Sequence, residues 1–179
     1  TGHLEHLYYG ERITVDSQDP SSCAPLVIQR AFAPGNTCTY DREHPQISME
    51  DVCLEVGTFG KGDIREPFLK IRHADGSVTS DFTFDSYEII TLKEREQCLQ
   101  DSGLPHSYSE AETDSAECLQ IILQDVMNHL ELHLFYTVFE ECDVITRSAR
   151  LINHSDASVT LERCLSAQLD LTEDYSVIT

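Results

Sequence analysis

Residues 128–153 read NHLELHLFYTVFEECDVITRSARLIN, and the first half of this stretch decides the fold. Leu130, Leu132, Leu134, Tyr136 and Val138 alternate with His129, Glu131, His133, Phe135 and Thr137. A period of two places successive side chains on opposite faces, so strict alternation predicts a strand with one dry face. Leu132, Leu134 and Tyr136 are expected to be buried together, with His129, Glu131 and His133 turned the other way. The 136–153 run and the strand-like run after it, which ends in SAQLDL at Leu171, then read as two strands joined by a short polar turn. The second run passes through Val159, Leu161, Cys164 and Leu165 and is continued by Ala167 and Leu169. Asn153-His154-Ser155-Asp156 supplies the turn before it, because short polar side chains bond their own backbone.

The same rhythm extends outward. Ala74-Asp75-Gly76-Ser77 sits between residues 69–73 and 78–84, and Asp-Gly predicts a tight hairpin there. Strands are also expected near residues 5–9, 87–92 and 118–124. Helical pattern is weak and confined to 51–55 and 92–97. Two regions break the rhythm: 16–62, rich in Pro, Ser, Asp, Asn and Gly, and 101–113, with Gly103, Pro105 and an acidic patch. Many strands separated by polar turns imply an all-β protein with little helix, a sandwich of two large antiparallel sheets. The 179 residues form one domain on this reading, long enough to bury a core without staples.

Charge narrows the function classes. Twelve Lys and Arg stand against 32 Asp and Glu, a formal net charge of −20. Such a chain is repelled by phosphate backbones and anionic bilayers, so neither nucleic acid nor membrane is an expected partner. No apolar run approaches the roughly 20 residues that span a bilayer. The seven cysteines, Cys23, Cys38, Cys53, Cys98, Cys118, Cys142 and Cys164, are odd in number and form no CxxC pair. Most sit in apolar runs, where free cysteine acts as a small hydrophobe. That usage, with no secretory leader pattern, predicts a reduced, cytoplasmic protein.

Catalytic signatures are missing: there is no GxSxG, HExxH, Walker loop or GxGxxG. His129, Glu131 and His133 form an H-x-E-x-H array that one strand face could turn into a metal site. The plainer reading, a polar outer face, is adopted, and no metal or cofactor is expected. Glu140, Glu141 and Asp143 cluster carboxylates, but glycoside hydrolysis needs two carboxyls roughly 5–10 Å apart across a sugar. Neighbours on one turn cannot straddle a sugar, so these are read as a solvated strand end.

An ordered set of short motifs carries a resemblance. GHLEHLYYGERI opens the chain; RAFAP spans 30–34; Gly62-Asp63-Ile64-Arg65-Glu66-Pro67 follows EHPQISMEDVCLEVGTF; then come ADGS at 74–77, GLP at 103–105, EAET at 110–113, YTVFEECDVITRSARLIN and SAQLDL. This series resembles the N-terminal β-sandwich domain of bacterial α-galactosidases of glycoside hydrolase family 36, including its R-x-(F/Y)-(S/A)-P and G-D-(F/Y)-R-x-P segments. Ile64 stands where an aromatic is usual.

The resemblance implies a supersandwich-like domain that normally precedes a catalytic barrel. Relatives are retaining α-galactosidases that release terminal galactose from melibiose- and raffinose-type oligosaccharides. Their two catalytic aspartates lie on the barrel in K-W-D and S-D motifs, which this tryptophan-free chain lacks, so no catalytic residue is expected in residues 1–179. The implied partners are the protein's own barrel, an α-galactoside through the full-length enzyme, and further copies in a homo-oligomer, a tetramer in relatives. The first long loop of the family reaches toward a neighbouring active site. That would bring Gln29, Arg30, Asp41 and Arg42 near substrate, although Gln29 replaces an acidic residue found in some relatives. The alternative is a free-standing carbohydrate-binding or assembly module.

Overall fold

The computed structural model describes residues 1–9, 13–14, 19, 21–22, 40, 42–43, 49, 52–63, 66–99, 116–140 and 143–169. In chain order the elements are β1 (Thr58–Phe59), β2 (Gly62–Asp63), β3 (Leu69–Arg72), β4 (Thr83–Thr91), α1 (Leu92–Leu99), β5 (Glu117–Asp125), β6 (Leu130–Phe139), β7 (Val144–Asn153) and β8 (Thr160–Cys164). The long strands make an antiparallel sheet in the order β4-β5-β6-β7. A smaller sheet, β2-β1-β3-β8, is parallel at β1 and antiparallel between β3 and β8. The two sheets form the all-β sandwich that the alternation predicts.

The register explains the core. Leu132 lies opposite Leu123 and Leu151, and Leu134 opposite Ile121 and Ala149. Leu123, Leu130, Leu132 and Leu134 cluster with Val56, Phe68, Leu69, Ile71 and Phe82 between the sheets. Fully burying each such side chain contributes about 1.5–3 kcal/mol. Tyr136 shares this face and is partly buried. Glu131 and His133 face the other way, as expected, but His129 does not: it lies outside β6 in a turn with φ 54°. The outer face is not wholly polar either. Phe135 and Thr137 are buried there, and Phe135 packs with Ile90 and Cys118. Arg95 of α1 reaches across this face to Ser148, the residue opposite Phe135.

Helix α1 exists because of its first turn. Thr91 N–H and Oγ1–H donate to Glu94 Oε2 at 2.8 and 2.9 Å, and Glu94 N–H donates back to Thr91 Oγ1 at 3.3 Å. This reciprocal capping box satisfies backbone donors that a helix start leaves open. Leu92 anchors the turn, fully buried. Of the 51–55 stretch, the described residues 52–55 are not helical. Leu54 bridges Glu5, His6 N–H donates to Cys53 O and Glu55 N–H to Leu4 O, so this segment pairs with the N-terminal residues. The expected strand at 5–9 reduces to that single bridge. The 16–62 region is not loop throughout: Cys53, Leu54, Val56 and Thr58 are buried.

Both expected turns form, yet neither closes a hairpin. Gly76 has φ 86°, His73 N–H donates to Ser77 O at 2.9 Å, and Asp75 Oδ1 accepts from Ser77 N–H at 2.9 Å. The chain then leaves for the other sheet, since β3 pairs with β8 and β4 with β5. Asn153 likewise accepts from Ser155 N–H at 3.0 Å and donates to Ala157 O at 2.7 Å, and β7 passes to β8 in the smaller sheet. The physical reason is coverage: Leu69 and Ile71 of β3 are needed opposite Leu132 and Leu134, not beside them. Strand β8 stops at Cys164, so Ala167 and Leu169 do not continue it. Among the described residues, Cys53 and Cys118 are buried and Cys164 is exposed, and none of the three is in a disulfide.

Candidate functional site

The H-x-E-x-H array resolves into a latch. Glu131 Oε2 accepts from His133 Nε2 at 3.3 Å and from His154 Nε2, in the β7–β8 crossover, at 3.0 Å. Gln120 Nε2 lies 3.2 Å from His133 Nδ1, and Gln124 Nε2 donates to Glu131 Oε1 at 3.5 Å. The hydrogen bond from His154, with a smaller one from His133, holds the Glu131 carboxyl below its usual range against a slight upward push from burial. Among the described residues no group of His, Cys, Asp and Glu is placed to hold a metal ion. Glu140 and Asp143 are exposed at the β6–β7 turn, a solvated strand end; Glu141 lies outside the described residues.

A polar cluster gathers His3, Tyr40 and Lys61 around Asp81. Asp81 Oδ1 lies 2.8 Å from His3 Nε2. Its Oδ2 accepts from Tyr40 O–H at 3.0 Å and pairs with Lys61 Nζ at 3.4 Å. The Lys61 ammonium also lies 4.4 Å from the Tyr40 ring centre, and the His3 and Tyr40 rings meet edge to face. Burial pushes the Asp81 carboxyl up, but His3, Lys61 and Tyr40 outweigh it and hold it below the ordinary range. The next carboxylate, Asp125, accepts from Asp81 N–H at 3.1 Å and from both nitrogens of Asn128. Neither carboxylate is free to attack or protonate a sugar: Asp81 is held by three side chains, and Asp125 by two backbone N–H groups and the Asn128 amide. Nothing local in the sequence marks this cluster, because its members come from four separate segments.

Arg42, one of the four residues expected near substrate, emerges exposed two positions after Tyr40. Gln29, Arg30 and Asp41 lie outside the described residues.

A third feature is an open groove of about 410 Å³, walled by Leu4, Leu7, Tyr8, Leu119 and Ile121. Tyr136 and Glu55 line it as well. Tyr136 O–H donates to Glu55 Oε1 at 2.5 Å, and Arg147 Nε donates to the same oxygen at 3.0 Å. Burial, then the Glu55 carboxylate, pushes the Tyr136 hydroxyl far above its ordinary pKa, so it remains a donor. Arg147 also donates to Ser166 O at 2.6 Å and stacks 4.6 Å over the Phe68 ring centre. This is a clamp joining the sheets, and its carboxylate is already engaged by a phenol and a guanidinium. Retaining hydrolysis needs two carboxyls about 5 Å apart across the bond to be cut. None of the three sites, as described, supplies such a pair.

Comparison with known proteins places these features in a family. Residues 2–179 match the family model described as the glycosyl hydrolase family 36 N-terminal domain. The bifunctional alpha-galactosidase/sucrose kinase AgaSK of Mediterraneibacter gnavus is 37% identical over 174 residues, covering 96% of this chain and 17% of that protein. Alpha-galactosidase AgaA of Geobacillus stearothermophilus is 34% identical over 179 residues, covering 99% of this chain and 23% of its own. Among solved structures, the alpha-galactosidase from Lactobacillus brevis superposes with a TM-score of 0.78 at 32% identity, over 95% of this chain and 21% of that one. A Geobacillus stearothermophilus AgaA variant in complex with raffinose gives 0.75 at 30% identity, over 93% and 21%. The chain thus spans about a fifth of the relatives it matches. With the sandwich, the ordered motifs and the end-to-end match agreeing, the chain belongs to glycosyl hydrolase family 36 as an N-terminal domain of that family.

Proposed function

We propose that this domain serves an α-galactosidase that releases terminal α-galactosyl residues from melibiose- and raffinose-type oligosaccharides. The observation that carries the reading is the match to such enzymes along almost the whole chain. The domain itself is non-catalytic. Its carboxylates at Asp81, Asp125 and Glu55 are consumed as anchors, which supports that role. Residues 1–179 act as one N-terminal unit, and the reacting aspartates belong to a barrel outside it. The sandwich packs on that barrel, contributes to a homo-oligomer and shapes the aglycone side of the site. The protein works in the cytoplasm.

The loop that carries Gln29, Arg30, Asp41 and Arg42 is the contributor to substrate selection in this reading. Its anchorage through Tyr40 on Asp81 supports it, since functional loops are positioned by rigid scaffolds. The test has two arms. The full-length protein is expected to release galactose from raffinose, and residues 1–179 expressed alone are expected to release none. In the full-length enzyme, Arg30→Ala is expected to slow raffinose turnover about tenfold more than turnover of an aryl galactoside, the scale of one charge-assisted hydrogen bond. Galactose release by residues 1–179 alone would overturn the non-catalytic role. Equal loss on both substrates would overturn the role of Arg30 in selection.

A further inference from the structure

Arg95 brings a positive charge to the outer face of the large sheet and is buried there, at 7% exposure. A buried charge is normally paired, because a bare one loses its hydration with nothing in return. Arg72, Arg147 and Arg163 pair with Glu162, Glu55 and Glu66. Arg95 pairs with no carboxylate among the described residues. Its Nε is buried with no acceptor, and its Nη2 makes one long hydrogen bond, 3.4 Å, to Ser148 Oγ. A second polar group is stranded on the same face. Thr137 is fully buried, and its Oγ1 has no partner. Register brings the two together: Phe135 lies opposite Ser148 and Thr137 opposite Thr146, so Thr137 is the diagonal neighbour of Ser148. Such neighbours stand about 7–8 Å apart along their backbones, and their side chains come closer. The surroundings are neutral. Ile90, Cys118 and Phe135 form a buried cluster on this face, and Leu92 is fully buried where α1 begins. Glu88, the outer-face carboxylate of β4, is exposed.

We propose that Arg95, Thr137 and Ser148 hold a small monovalent anion, of chloride or formate size, between α1 and the large sheet. The donors suit it. A guanidinium offers Nε–H and Nη–H in a fixed fork, and a hydroxyl turns its hydrogen toward whatever acceptor is present. A water molecule would satisfy the stranded Nε and Oγ1 but would leave the charge of Arg95 bare, so the occupant is an anion. One charge needs one counter-charge, and the chain's net charge of −20 works against a ligand that carries more. Away from bulk water the attraction is stronger than at the surface. The ion ties three elements together: α1 through Arg95, β6 through Thr137 and β7 through Ser148.

Hydrogen exchange of the full-length protein tests this, at constant sodium concentration with chloride replacing the bulky anion gluconate. Exchange across Leu92–Leu99 is expected to slow as chloride rises and then to level off. The slowing should reach about tenfold when chloride stands at ten times its half-saturating concentration. In Arg95→Met the same segment is expected to ignore chloride. Exchange indifferent to both chloride and formate in the unsubstituted protein would overturn the proposal, whether a carboxylate of the chain fills the place or nothing does. An equal response in Arg95→Met would also overturn it, as screening of the net charge and no more. If Arg95→Met does not fold, crystals of the unsubstituted protein grown in sodium bromide decide together with the titration. An anomalous peak against Arg95 Nε supports the site, and no peak there rejects it. A peak without the exchange response is an adventitious ion only and rejects it as well.

Discussion

Arg147 Nε lies 3.0 Å from Glu55 Oε1, and this contact, with Arg147 Nη2 donating to Glu55 O at 3.4 Å, fastens β7 to the segment that leads into the smaller sheet. Both side chains are largely buried, at 11% and 14% exposure. Removing one partner of such a pair leaves the other charge uncompensated, which costs about 3–5 kcal/mol when burial is complete. Because both retain some solvent contact, Arg147→Met is expected to cost about 2–3 kcal/mol in urea unfolding, scaled down from that range. Tyr136→Phe should cost about 1.5–3 kcal/mol, the scale of a hydrogen bond to a charged group. A double-mutant cycle between the two should show coupling, since both donate to the same oxygen. The pH dependence follows from the raised Tyr136 pKa. Its contribution is whole below the ordinary value of 10.0 and is lost as pH climbs from there toward the higher folded value.

Leu134 is completely buried in the central cluster. Leu134→Ala should lower unfolding free energy by about 2–5 kcal/mol, through lost transfer energy and the cavity left behind. A value near zero in denaturant titration would show that β6 does not carry the core.

Glu131→Gln should loosen the β7–β8 crossover, because the carboxylate that receives both His133 and His154 is gone. The readout is hydrogen exchange at the His154 amide, which donates to His129 O. The folded Glu131 pKa lies below its ordinary 4.5, so its contribution is present above that value. It fades as pH falls through the folded pKa. The variant and the parent sequence should therefore differ at neutral pH and converge in acid.

Gly60 turns between β1 and β2 with φ 82°, and a Cβ there would meet Thr79 Oγ1 at 2.9 Å. Gly60→Ala should cost about 1–2 kcal/mol from the left-handed backbone alone. Gly76 shares that backbone, with φ 86°, but has nothing within 4 Å. Gly76→Asn should be much milder, because Asn tolerates this conformation. Thermal unfolding of the two variants side by side checks the difference.

What could be read in advance was local. The alternation at Leu130 to Val138 gave β6 its buried face, and Asp75-Gly76 and Asn153–Ser155 gave two turns. Local chemistry says that the chain bends, however, and not which sheet receives it. Hence the hairpin expected at Asp75-Gly76 and the turn expected at Asn153–Ser155 both proved to lead into crossovers, a decision made by burial of Leu69 and Ile71 far along the chain. The capping box at Thr91 and Glu94 was in the sequence and signals a helix start that weak apolar periodicity obscured. His129 was misplaced because alternation does not mark where a turn takes over. The Asp81 cluster was invisible for a different reason: His3 and Tyr40 lie 78 and 41 positions from Asp81. Of the four residues named for substrate, Arg42 alone falls among those described, exposed two positions after Tyr40.

The pairing of β3 with β8 has a consequence for how this protein is made. Leu69 meets Cys164, and Arg72 meets Thr160, so the smaller sheet closes over some ninety residues of intervening chain. The meander β4-β5-β6-β7 needs only neighbours in sequence and can assemble as it leaves the ribosome. Phe68, Leu69 and Ile71 emerge earlier, yet β3 has only the two-residue β1 to pair with until β8 arrives, and this apolar segment stays sticky meanwhile. Contacts this distant are slow to form and expose aggregation-prone surface while they are awaited. Synthesis paused between β7 and β8 would hold the nascent chain in its most vulnerable state, with the larger sheet built and its cover unfinished.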